Sequence, residues 1–173
     1  MKILLLSGSP RKKGNSSAMA DAFTDGARSA GHEVVRFDVA QMNIKGCRGC
    51  EFCHTQGEGQ CVQQDDMNQI YPHLADCDMI VFASAVYYWT LTADLKAALH
   101  RFYAIGRPPK AAKFAILLSS GSEGVYDAIE KQMKDSWDFM GVEFVKMITA
   151  SDEKSENKSM AKLAECMDFG ASL

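Results

Sequence analysis

The chain has no apolar run approaching the ~20 residues that a membrane-spanning helix needs, so no segment reads as a span and no membrane partner is expected. It also lacks a basic surplus. With 19 Lys and Arg against 22 Asp and Glu, the net charge is −3. A general nucleic-acid binder would need the opposite sign to displace counterions. The opening "MKILLLSGSP" offers one lysine and four apolar residues before Gly8-Ser9-Pro10 ends the run. That is too short for a secretory leader, so a cytoplasmic, reducing setting is expected. The four histidines (32, 54, 73 and 100) are scattered, and they form neither a Ser/His/Asp set nor a metal-type His pair. What remains is ordinary for a globular protein: 47% hydrophobic and 24% charged residues in 173 positions, enough for one domain spanning 1–173.

Short apolar runs alternate with helix-period segments. Lys2–Ser7, Glu33–Val39, Asp78–Ala85, Lys113–Ser120 and Val142–Ala150 read as strands. Three of them are almost continuously apolar, as in a parallel sheet covered on both faces. Between them run amphipathic stripes: Met19, Phe23 and Ala27; Met67, Ile70, Tyr71 and Leu74; Leu95, Ala98, Leu99 and Phe102; Val125, Ile129, Met133, Trp137 and Met140. Met160, Leu163, Ala164 and Met167 mark a last helix, 158–168, after a polar stretch at Ser151–Ser159. Pro72 interrupts the second stripe and predicts a kink or a short turn there. The alternation predicts an α/β fold, a doubly wound five-stranded parallel sheet; 2-1-3-4-5 is the order expected as the common one for five strands, not one that periodicity itself dictates.

Ligands of open α/β sheets bind beyond the carboxyl ends of the strands. After the first strand comes "SGSPRKKGNSS", Ser7 to Ser17. It offers hydroxyls from Ser7, Ser9, Ser16 and Ser17, the Asn15 amide, and the cations Arg11, Lys12 and Lys13, with a helix start behind them. That is a set for a phosphate. It is neither G-x-G-x-x-G nor a Walker loop, so a monophosphate fits better than a dinucleotide or ATP. The plainer alternative is a polar turn and helix cap.

The first strand with "GSPRKKGNSS" resembles the FMN-binding loop of the NAD(P)H-dependent FMN reductases. The resemblance extends to "DDM" at Asp65–Met67 and "ASAVYYWTLTADLKAALHR" at Ala83–Arg101, and covers the chain to about Ala150. It implies a flavodoxin-like fold, non-covalent FMN, NAD(P)H as co-substrate, a small-molecule electron acceptor such as a quinone or flavin, and a homodimer or homotetramer. Ala85 stands where that family usually has proline.

An isoalloxazine ring needs flat apolar surface and backbone donors at its rim. In "SAVYYWT" the residues Ala85, Val86, Tyr87, Tyr88 and Trp89 are candidates, with sheet-edge cover or a subunit interface as the plainer role. Ser120 and Gly121, in "SSGSEG", are further candidates, although Ser120 and Glu123 also form a capping-box pattern. No general base is expected, because the flavin carries the chemistry. Asp65 and Asp66 read as helix-starting residues.

Four of six cysteines lie in "CRGCEFCHTQGEGQC", within an insert loop at 46–64: Cys47, Cys50, Cys53 and Cys61, spaced C-x2-C-x2-C-x7-C. Closely spaced thiolates with glycines between them suit a 4Fe-4S cluster. Structural zinc more often uses two separated knuckles, and bare or redox-switch thiols are the third option. The spacing resembles the compact motif of the iron–sulfur flavoproteins, a branch of the same superfamily. Cluster-free relatives also carry cysteines in this loop. Cys77 and Cys166 read as small core residues. The leading expectation is therefore an FMN-dependent NAD(P)H oxidoreductase. The alternatives are an electron carrier with FMN and a cluster, reduced by a ferredoxin-type donor, and a non-enzymatic redox sensor.

Overall fold

A computed structural model describes the backbone of residues 1–151 and 156–173 and the side chains of 1–151 and 160–173. Five long strands build the sheet: β1 (Lys2–Ser7), β2 (Glu33–Asp38), β3 (Met79–Tyr87), β5 (Lys113–Ser120) and β6 (Glu143–Ser151). A two-residue strand, β4 (Thr90–Leu91), pairs only with the end of β3. The long strands lie in the order β2-β1-β3-β5-β6, all parallel. Counted without β4, this is the expected 2-1-3-4-5.

Position in the sheet explains the composition of each strand. The central β1, β3 and β5 are buried almost throughout because helices cover both faces. The edge strands β2 and β6 carry Arg36, Asp38, Glu143 and Lys146 and are only half-buried. Alternation then divides the core. Ile3, Leu5, Val81 and Leu117 face one layer with α1 (Asn15–Ser29) and α5 (Glu156–Ala171). Leu4, Leu6, Phe82 and Ile116 face the other, with α2 (Met67–Asp76), α3 (Ala93–Arg101) and α4 (Asp127–Phe139). There Trp137 packs on Phe114 with ring centroids 5.4 Å apart and on Phe82 at 5.5 Å.

Three expectations are corrected. Helix α2 runs for ten residues with Pro72 inside it, so the alternative of a short turn is not what forms. Helix α5, expected at 158–168, runs Glu156–Ala171; its buried positions include Cys166, Phe169 and Gly170, while Met160 and Met167 are exposed. Two glycines set that face: a Cβ on Gly26 would lie 2.0 Å from the Met167 carbonyl oxygen, and one on Gly170 2.4 Å from that of Phe23. The helices thus meet backbone to backbone, beside the Phe23–Phe169 ring pair at 5.5 Å. Third, α4 starts at Asp127 with Tyr126 as its cap, so Ser120 and Glu123 are not a capping box. The polar stretch expected at Ser151–Ser159 falls at 152–155 outside the described residues; Ser151 ends β6 and Glu156 begins α5.

Candidate active site

The loops that leave β1, β3 and β5 meet because those strands are neighbours. Together they line a cleft of about 340 Å³ with Ser9, Arg11, Asn15, Ser16, Ala85, Val86, Tyr87, Ser120 and Gly121, joined by Pro10, Lys13, Gly14 and Ser119. The first loop is fixed at both ends. The Gly8 N–H donates to the Ala83 carbonyl at 2.8 Å, and the Ser9 hydroxyl and Gly14 N–H both donate to Arg11 O, at 2.8 and 3.0 Å. Gly8 has no room for a side chain: a Cβ would sit 2.3 Å from Thr92 Oγ1 and 2.7 Å from Leu95 Cβ.

Helix α1 begins at Asn15 behind a glycine cap that has no side chain to offer, and its first turn holds no acidic residue. Its leading N–H groups therefore lack acceptors within the helix. Together with the dipole and the cations Arg11 and Lys13, which line the same cleft, they have the chemistry that suits an anion. Ser7, whose hydroxyl is buried without a partner among the described residues, lies beneath the loop. Ser17 lies elsewhere. It lines a separate hollow with Lys12, Asp21, Asp38 and Gln41, and its hydroxyl accepts from Arg36 Nη2 at 2.9 Å.

The expected aromatic loop is a β-hairpin. Val86 pairs with Leu91 and Tyr87 with Thr90, leaving Tyr88 and Trp89 as a two-residue turn. Both have positive φ, 49° and 58°. A type I′ turn requires that, and Asn-Gly normally supplies it. Bulky side chains in this region are strained by about 1–2 kcal/mol each. Tyr87 lines the cleft; Tyr88 and Trp89 do not, and stand 94% and 59% exposed at the tip. The hairpin's base is held by Ser84, whose hydroxyl donates to Ala85 O at 2.7 Å and accepts from the Thr92 N–H at 3.1 Å. Gly121 is open to close approach, with no atom within 4 Å of an added Cβ.

At the other end of α3 lies the cysteine loop. Cys47, Cys50, Cys53 and Cys61 line one small hollow with Arg101 and Tyr103. Cys53 is buried, Cys61 half-buried, and Cys47 and Cys50 exposed. Burial pushes the Cys53 thiol up, and the neighbouring charges of Cys61, Cys47 and Glu51 add to this. Cys77 and Cys166 sit in the core, where burial raises them to about 11 and about 12, so they are inert.

The loop is docked by residues around the end of α3. The Tyr103 hydroxyl donates to both Glu51 carboxylate oxygens, at 2.9 and 3.0 Å, and His54 Nε2 meets Tyr103 O at 2.8 Å. Arg101, 1% exposed, donates from Nη1 to Asp65 Oδ2 at 2.6 Å and Lys45 O at 3.0 Å, and from Nη2 to Gln63 O at 3.3 Å. Asp65 starts α2 as expected, accepting from the Met67 N–H at 3.1 Å. Its second oxygen serves Arg101 and the Lys45 N–H. Burial alone would raise the Asp65 carboxyl; Arg101 and the two N–H groups outweigh it and hold the carboxyl below its usual range.

The profile of the family described as NADPH-dependent FMN reductase matches residues 1–157. The chain belongs to this family. Among curated relatives it is 36% identical over 132 residues to an iron–sulfur flavoprotein of Archaeoglobus fulgidus, covering 76% of this chain and 57% of that protein. The chain thus spans little more than half the length of the curated relatives it matches. Among solved structures, an NAD(P)H:quinone oxidoreductase from Methanothermobacter marburgensis superposes with a TM-score of 0.80 at 18% identity, over 99% of this chain and 95% of its own. An FMN-dependent NADH-azoreductase from Bacillus anthracis, solved in complex with FMN, gives 0.74 at 11% identity over 99% of both chains. At such identities these two establish the fold.

For the family's flavin, the donor-rich cleft has the right chemistry: an uncapped helix start, cations, an aromatic wall and open backbone at Gly121. For a metal–sulfur cluster, the donor set of four thiols is right. Among the described residues no three of His, Cys, Asp or Glu converge on a single-ion site. A zinc ion bound at about 2.3 Å would demand that convergence.

Arg101 and Tyr103 had no place in the sequence-based reading. A signal existed for the first: Arg101 lies three residues from Ala98 on the buried stripe of α3, where a cation needs a carboxylate partner.

Proposed function

We propose that the chain is an FMN-dependent NAD(P)H oxidoreductase that passes electrons to a small acceptor, a quinone, flavin or similar, and works as a homodimer or homotetramer. The observation that carries this reading is the start of α1, uncapped and free of acidic residues, beside a cleft lined by Arg11, Lys13 and Tyr87. Arg11, Lys13, Asn15 and Ser16 would hold the phosphate, and Ala85, Val86 and Tyr87 would flank the ring. Ser119, Ser120 and Gly121 would close the third side. FMN held there would supply the hydride and electron-transfer chemistry between a nicotinamide and the acceptor. The chain's own contribution is binding and orientation, which is why no acid–base residue is assigned.

A second reading, an electron carrier with FMN and a 4Fe-4S cluster reduced by a ferredoxin-type donor, is favoured by one observation: the four loop cysteines line a single hollow. It is also supported by the names of the curated relatives. Anaerobic purification followed by flavin, iron and sulfide assays separates the two. The first reading predicts one flavin per chain that bleaches rapidly with NADH or NADPH. Flavin that neither nucleotide reduces, but reduced ferredoxin does, would replace it with the second.

A further inference from the structure

Phe139, the last residue of α4, is 93% exposed. The core of its layer is filled without it, by Trp137, Phe82 and Phe102. A large ring held in water does nothing for the isolated fold. It borders an open groove of about 840 Å³ between the ends of α3 and α4, which Leu99, Phe102, Tyr103 and Met140 also line. Among the described residues no Lys or Glu lines this groove. Aromatics, Met and Arg without Lys or Glu are the composition of a protein–protein contact, not of ordinary surface. The groove shares no residue with the flavin cleft.

The charges on the groove choose the occupant. Arg107 and Asp135 both line it, with His100 beside them. Among the described residues the Arg107 side chain makes one hydrogen bond, from Nη2 to Gly141 O at 3.4 Å, and no ion pair. The Asp135 carboxylate accepts from the exposed Lys131 at 2.8 Å, a surface pair weak enough to exchange. An acidic partner or an anionic membrane would call for cations alone, and a basic partner for carboxylates alone. One of each suits a second copy of the chain, because a two-fold axis can set each Arg107 against the other copy's Asp135. We propose that this groove is the contact between two copies of the chain, isologous about a two-fold axis. Phe139 of each copy fills the other's groove beside Leu99, Tyr103 and Met140, and Arg107 faces Asp135 across the axis. The proposal rests on the homo-oligomer of the proposed function and names the surface that forms it.

Sedimentation velocity of the whole chain over a concentration series tests this. The parent should be a dimer, or a tetramer assembled from such dimers. F139E changes a side chain that stands in solvent, and it should weaken the dimer step by at least about tenfold. R107D and D135R should each weaken it by about tenfold too, because like charges then face each other across the axis. The double variant R107D/D135R should regain most of the parent's affinity, a rescue that requires the two residues to face one another. An oligomeric parent that is indifferent to F139E, or charge reversals without rescue, would overturn the proposal and leave the homo-oligomer to another surface. A parent that stays monomeric throughout would overturn both and give the groove to a different protein. Flavin content per chain reads the oxidoreductase part of the proposed function separately. If circular dichroism shows F139E unfolded, F139S and the charge series decide by the same dissociation constants.

Discussion

The cleft and the cysteine loop occupy opposite ends of α3 and are built by different means. Strand ends place the cleft: three neighbouring parallel strands deliver three loops to one spot, and main-chain bonds such as Gly8 N–H to Ala83 O fix them there. The cysteine loop has no strand beneath it. Side chains hold it, Arg101 and Tyr103 from the end of α3, and its backbone includes Gly49, Glu51, Glu58 and Gly59 at positive φ. A site built on main chain survives most side-chain changes and fails by steric intrusion. One built on side-chain clamps fails when a single clamp is cut.

Gly8 offers the sharpest way to break the cleft. The substitution G8A puts a methyl group within 2.7 Å of both Thr92 and Leu95. Overpacking of this kind costs about 1–3 kcal/mol, so denaturant titration should show that loss together with loss of flavin. The cysteine loop should respond little: alkylation of Cys53 and Cys61 in the folded protein should match the parent.

The hairpin tip sharpens the comparison from the other side, since its strain is not needed to hold the cleft's floor. Replacing Tyr88 and Trp89 with Asn and Gly supplies the turn that positive φ prefers and should stabilise the fold by about 1–2 kcal/mol. Flavin affinity should stay within about twofold, since neither side chain lines the cleft. If either aromatic instead touches the ring, FMN binding will weaken as stability rises.

The loop's main clamp should show a dependence on acid that the cleft does not. Asp65 has a folded pKa below its unfolded value, so its contribution is full above the unfolded pKa, about 3.9. It fades as pH falls through the lower folded value. Protection of the loop from proteolysis by pepsin should therefore weaken below about pH 4, and D65N should remove that dependence. Asp76, held at about 2 by Lys110 and Lys2 at the amino ends of the central strands, has the same sign. It is exposed, so D76N is expected to change acid stability least of all.

How much of this was legible in the sequence follows the same division. Strands were readable because β1, β3 and β5 are buried on both faces and so run continuously apolar, while their order followed only from the arrangement usual for five such strands. The loop after β1 stood out by its serines and cations, and the structure brings most of them together with Ala85–Tyr87 and Ser120–Gly121. The hairpin was hidden, because Tyr88-Trp89 is not turn chemistry and only tertiary context holds it in that form. The buried face of α5 was not legible either, because it is set by the close approach of Gly170 to the Phe23 carbonyl oxygen and not by a run of large apolar residues. Arg101 and Asp65, 36 residues apart, form a pair that no local pattern announces.

The central claim is that the helix α1 start and its loop hold a flavin phosphate. Titrating FMN into the parent and into R11A/S16A, with circular dichroism to confirm folding, tests it most directly. The account predicts one FMN per parent chain and at least about tenfold weaker binding in the folded variant, from the loss of charge-assisted contacts. Equal affinity in the two proteins would contradict it.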